Sequence, residues 1–223
     1  MFSFAFAMEN SSSIKLSDKQ EHILLEAEKL FAEKSFAGTS VRDIAQAAGV
    51  NLAMINYYFG SKEKLLASIF EYRIAANRIM LRNLVEDVTI SSAQKIVLII
   101  ENYINKMMHN RCFHQIVSKE TAVKEIPELK ASLMETKLQN LALVKKIIAE
   151  GQANGSFRQD IDANYLMANI IGTIYYGNAN VDWLRTCYNM PNATDEAVYT
   201  ALADLLRKNL VETALLYLSN KTI

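Results

Sequence analysis

The chain has 223 residues, enough to bury a substantial core as one large domain or two small ones. Its 24 Lys and Arg balance 24 Asp and Glu, so overall charge gives no sign of a nucleic-acid binder and any basic surface has to be local. Seven Gly and two Pro are few for this length, which favours long uninterrupted helices over turn-rich sheets.

Residues 1–14 read as a flexible, Ser-rich arm whose short apolar stretch lacks the basic leader of a signal peptide, with Met8 as a second candidate start beside Met1. No apolar run approaches the roughly 20 residues that span a bilayer, so the expectation is a soluble, cytoplasmic protein with no membrane partner. Cys112 and Cys187 show no repeated spacing; a disulfide is open to them, but two thiols in a reducing cytosol is the blander reading.

Ser17, Asp18, Lys19 and Gln20 match a capping box, and Ile23, Ala27, Leu30 and Phe31 then recur at helical spacing to about Lys34. Ser40 to Asp43 is a second capping box, opening a short helix that Gly49 stops. Asn51 is a good N-cap for a third helix through Phe59. Gly60 breaks that helix, and Ser61 caps a long fourth one carrying Leu65, Ile69, Tyr72, Ala76 and Ile79 on one face. Two helices crossing steeply need a small residue at the crossing and glycine at the turn, and Ala45 and Gly49 supply them. Ile44, Ala48, Val50 and Ile55 fall on the buried side, leaving Ala53, Met54, Asn56 and Tyr57 free to point outward. Such a helix-turn-helix can set its second helix in a DNA major groove, although an αα-hairpin with a glycine turn is also a common structural element.

The stretch from Gly38 to Leu66 resembles the DNA-binding domain of the TetR family of repressors. The shared pattern is Thr39 to Ala45, then Ala48, Gly49 and Val50, the Tyr57, Tyr58 and Phe59 triplet, and Ser61, Lys62 and Glu63 followed by Leu65 and Leu66. The resemblance implies an all-α fold of about nine helices: a DNA-binding domain over 15–77 and a ligand-sensing, dimerising domain over 78–223. It also implies Ser40 and Arg42 contacting phosphate and a base edge, with Arg42 suited to guanine. Ala53 and Met54 would lie against thymine methyls or the sugar wall, Asn56 against base or phosphate, and Tyr57, Tyr58 and Lys62 against the backbone. Asn56 and Tyr58 stand where many relatives carry Tyr and His. Between Ile14 and Arg78 nine basic residues face eight acidic ones, so nonspecific attraction to DNA is modest and two copies are needed.

Beyond Ser92 the pattern stays helical. Ile96, Ile100, Tyr103 and Met107 form one stripe, and Leu133, Leu138, Leu141, Val144 and Ile148 another after Pro127. The segment from Gly151 to Gly155 reads as a turn. Asp162 caps a helix over 163–180 that is apolar nearly all round, and a polar loop near Pro191 precedes a Leu-rich helix over 195–218. Tyr103, Met107, Met108, Tyr175, Tyr176 and Trp183 are candidates for an apolar ligand pocket, or simply core. Gly172 and Gly177, with Leu202 and Leu205, are candidates for a dimer interface, or for closing the monomer core. His109, Cys112 and His114 have metal-like spacing but no matching second pair, so no metal site is expected and no cofactor is assigned. No nucleophile elbow, phosphate loop or paired carboxylates point to an enzyme. The expected partners are double-stranded operator DNA, a small apolar or aromatic effector and a second copy of the chain. The competing expectation is a helical adaptor whose helix-turn-helix is purely structural.

Overall fold

A computed structural model of the chain describes residues 16–118 and 126–220, and the expected arm at 1–14 lies outside them. The described residues form ten α-helices and no strand: α1 (Asp18–Lys34), α2 (Val41–Ala47), α3 (Leu52–Phe59), α4 (Lys62–Glu86), α5 (Ser92–His109), α6 (Arg111–Ser118), α7 (Pro127–Ala153), α8 (Ala163–Ala179), α9 (Val181–Cys187) and α10 (Asp195–Leu218). Of these residues, those up to Met80 together with Cys112–Lys137 form one compact unit, and the rest form a second.

In the first unit the helix starts lie where the capping signals put them. Ser17 Oγ accepts the Gln20 N–H while Gln20 Oε1 accepts the Ser17 N–H, satisfying two donors that the first turn leaves free. Ser40 with Asp43 repeats the arrangement, and Asn51 Oδ1 caps α3 through the Met54 N–H. The helices then bury their periodic faces in one cluster: Ile23, Leu24, Ala27 and Phe31 of α1, Ile44 of α2, Ile55 and Phe59 of α3, and Leu65, Ile69 and Phe70 of α4. Cys112–Lys137 belongs with these helices because Phe113 meets Phe70 edge-on at 5.0 Å and Ile116, Ile126 and Leu129 complete the same cluster.

Polar ties set the helix angles within this unit. Arg73 of α4 donates from Nε and Nη2 to the two carboxylate oxygens of buried Glu28 on α1, at 2.8 and 3.0 Å. Two turns earlier on α1, Glu21 accepts the Tyr72 hydroxyl at 2.6 Å; burial first, then that carboxylate, pushes the phenol up to about 12.

The second unit is more aliphatic. Ile96, Ile99, Ile100, Ile104 and Met107 of α5 are buried, as are Leu166, Ile170 and Ile174 of α8 and Val198, Leu202, Leu206, Leu210 and Leu218 of α10. Arg207 of α10 ties to α5 through Glu101 at 3.2 Å and Asn105 at 2.9 Å. Lys95 is 1 % exposed, and its ammonium donates to Glu150 at 2.9 Å, whose side chain is 44 % open to water.

Three details depart from the expected elements. Gly151 does not begin a turn: α7 runs through it to Ala153, because the ring of Phe157 folds onto Gly151 where any Cβ would stand 2.2 Å from it. The chain turns instead at Gly155, with φ +78°. Helix α9 occupies residues between the helix expected to end at 180 and the loop near Pro191, for which no element was expected. Finally, Leu138 is exposed although it falls in the apolar stripe of α7, whose buried positions include Val144, Ile147 and Ile148.

Candidate DNA-reading surface and effector region

Helices α2 and α3 meet at a turn where Gly49 takes φ +63°, a conformation costly for a residue with a Cβ. The Val50 N–H returns to Ala45 O at 3.0 Å, and Ala45 and Ala48 are small enough to bury at the crossing. With Ile55 and Phe59 turned inward, α3 presents Leu52, Ala53, Asn56 and Tyr57 outward. Tyr57 is 84 % exposed, and Leu52, not among the expected contacts, is 38 % exposed. Leu52 lies one turn before Asn56, and that spacing was the signal for including it. Arg42 is exposed at the first turn of α2.

Other expected contacts have ties inside the protein. Ser40 Oγ–H donates to Asp43 Oδ2 at 2.6 Å, so its single proton serves the cap and reaches a phosphate only if the cap opens. This bond first, then the Ser40 N–H, holds the Asp43 carboxyl below its usual range. Lys62 donates to Phe36 O at 2.9 Å and Thr39 O at 3.0 Å and rests over the Phe36 ring at 4.3 Å. One of its three N–H groups is left for a phosphate. Thr39 is itself buried, its hydroxyl 2.8 Å from Ser35 O, so the turn after α1 is closed from both sides. Met54 is half-buried, and Tyr58 packs against the core between the rings of Tyr57 and Phe59.

In the second unit the six pocket candidates differ in burial and surroundings. Trp183 borders a polar cavity of about 390 Å³ with Asn178, Asn180, Asp182, Asp195 and Tyr199. Met107 is fully buried. Tyr175 is largely buried, and that burial, then the neighbouring Tyr103, pushes its phenol up to about 12. Tyr103 and Met108 are half-buried, and Tyr176 is exposed. A second, apolar cavity of about 300 Å³ opens between α9 and α10, lined by Leu184, Tyr188, Met190, Val198, Ala201, Leu202 and Leu205. Leu184 escaped the sequence reading because α9 has no buried face of its own to give it a period, and Tyr188 and Met190 lie beyond its end.

The dimer candidates separate. Gly177 is buried, and a Cβ there would stand 3.0 Å from Leu202 Cδ1 of the same chain, so this glycine lets α8 approach α10 within one molecule. Gly172 is exposed with open space before it, on a face of α8 with Tyr165, Asn169 and Tyr176. Among the described residues no group of three or more His, Cys, Asp or Glu is placed to hold a metal ion, and no helix is long and apolar enough to cross a membrane.

Comparison with known proteins finds matches over both parts of the chain. Residues 23–69 match the family of bacterial regulatory proteins, tetR family, and residues 93–206 match a tetracyclin repressor-like C-terminal domain. The HTH-type transcriptional repressor NicS of Pseudomonas putida is 30% identical over 165 residues, covering 72% of this chain and 76% of that protein. The ketosteroid transcriptional regulator KstR2 of Mycobacterium tuberculosis superposes with a TM-score of 0.71 at 18% identity, over 95% of this chain and 100% of its own. The transcriptional regulator FadR of Bacillus subtilis, in complex with stearoyl-CoA, does so with a TM-score of 0.60 at 21% identity, over 83% of this chain and 96% of its own.

Proposed function

Because the chain belongs to the TetR family and is a DNA-binding transcriptional repressor, we propose that α3 enters the major groove of its operator while Arg42 and Tyr57 fix its register. The observation that carries this reading is the outward face of α3: a groove-sized helix leaves Leu52, Ala53, Asn56 and Tyr57 exposed beside Arg42.

The repressor works as a homodimer in the cytoplasm. One recognition helix reads only a few base pairs, so useful specificity needs two half-sites about one helical turn (~34 Å) apart. The open face of α8 around Gly172 is the isologous surface proposed for the pairing. The effector is a small, largely apolar molecule. The apolar cavity between α9 and α10 favours that chemistry, and the acyl chain of the stearoyl-CoA held by a fold neighbour is likewise apolar. Binding there releases the operator, as it would if the ligand favours a state of the second unit that DNA disfavours. No catalytic role is assigned.

The test is fluorescence anisotropy of the full chain on DNA upstream of its own gene. Saturable binding that competitor DNA of random sequence does not remove, and that an apolar effector reverses, supports the reading. Equal affinity for both DNAs refutes it.

A further inference from the structure

The face of α3 carries no charge: residues 52–59 read LAMINYYF. Base edges are told apart in the major groove by what each side chain offers them. Guanine takes the paired donors of Arg or Lys, cytosine gives its amino group to a carboxylate, adenine pairs with an Asn or Gln amide, and the thymine methyl takes apolar contact. Helix α3 holds none of the charged side chains that read guanine or cytosine. Its outward residues are one amide, Asn56, flanked on the same face by Leu52 and Ala53, with Tyr57 beside them. Opposite Leu52 and Ala53, a G·C pair would lose the water on its edge atoms and gain no partner, whereas an A·T pair would bury a methyl group.

We propose that α3 selects an A·T-rich half-site core, with the Asn56 amide taking the N6 and N7 edge of an adenine and with Leu52 and Ala53 covering the methyl groups of adjacent thymines. Arg42, on α2, is then the residue left to read a guanine, at the flank of that core rather than within it. This rests on the reading that α3 is the helix in the groove, and it names the chemistry of the DNA that the helix accepts.

The test begins by selecting duplexes from a random pool with the full-length protein, then measures affinity for the selected operator with single-atom changes in the DNA. A·T pairs should fill the positions facing α3. Replacing thymine with deoxyuridine, which removes only the 5-methyl group, should weaken binding about fourfold at each of the two covered positions. Leu52→Ala should abolish that sensitivity at one of them. Replacing the adenine with 7-deazaadenine should weaken binding at one position in the wild type and change nothing in Asn56→Ala. The DNA substitutions need no variant protein, so misfolding cannot mimic the result. A G·C core, or an operator indifferent to both substitutions, overturns the proposal while leaving operator binding intact. A pool that yields no preferred sequence overturns the DNA-binding reading itself.

Discussion

In the first unit, backbone carbonyls at the turn between α1 and α2 are closed by side chains from a distance: Thr39 reaches Leu30 and Ser35, and Lys62 reaches Phe36 and Thr39. In the second unit, α5, α8 and α10 meet through aliphatic faces with Arg207 and Glu101 half-exposed at the rim, and buried Lys95 reaches the Val85 carbonyl and Glu150. Directional bonds fix an angle, whereas apolar faces tolerate substitution and small sliding. A helix that must match base edges needs the first kind of construction, and a region that must admit a ligand needs the second.

The sharpest test of the contrast is assembly. Gly172→Leu should leave the chain folded, since nothing lies within 4 Å of the added Cβ, yet separate the subunits and abolish operator binding. Light scattering would then give the mass of one chain where the wild type gives two. A wild type that is already monomeric at micromolar concentration breaks the dimer proposal.

Next in size are the ion pairs. Glu28→Ala leaves the largely buried Arg73 without its carboxylate and should cost about 3 kcal/mol in urea unfolding. Arg207→Ala, whose side chain and that of Glu101 are each 35 % exposed, should cost no more than about 1 kcal/mol. Equal costs would erase the distinction between the two units.

Arg42→Ala should lower operator affinity by about 1–3 kcal/mol in anisotropy titrations and relax the preference at one base pair. Unchanged affinity in the folded variant removes Arg42 from the reading set. Lys62→Ala frees two carbonyls and should lower stability by about 1–2 kcal/mol in thermal melts. If its remaining N–H also meets a phosphate, the slope of log affinity against log salt should fall by about one.

The first unit was the more legible because its signals are local. Ser17 with Gln20, Ser40 with Asp43, and Asn51 each announce a helix start within four residues, and Gly49 and Gly60 announce the stops by needing positive φ. The ties of Lys62 and Thr39 were not legible, because their partners are carbonyls, which every residue has. Attachment of Cys112–Lys137 to the first unit depends on Phe113 finding Phe70 over 40 residues away, and no periodicity encodes that. On α8, where apolar residues occupy every face, period could not separate Gly177, which meets Leu202, from Gly172, which meets nothing. Leu52 was passed over because a leucine is more often core than contact, although its spacing from Asn56 puts the two on one face.

The two cysteines differ in a way that is useful at the bench. Cys112 is half-buried, and that burial, then the carboxylates of Glu28 and Glu33, pushes its thiol up, so little reactive thiolate forms at neutral pH. Cys187 is exposed at the end of α9, next to Tyr188 at the lining of the apolar cavity. A maleimide dye should therefore label the native sequence at Cys187 first, placing a fluorescent reporter at the rim of that cavity without an engineered cysteine. Candidate effectors could then be screened by the change in its emission.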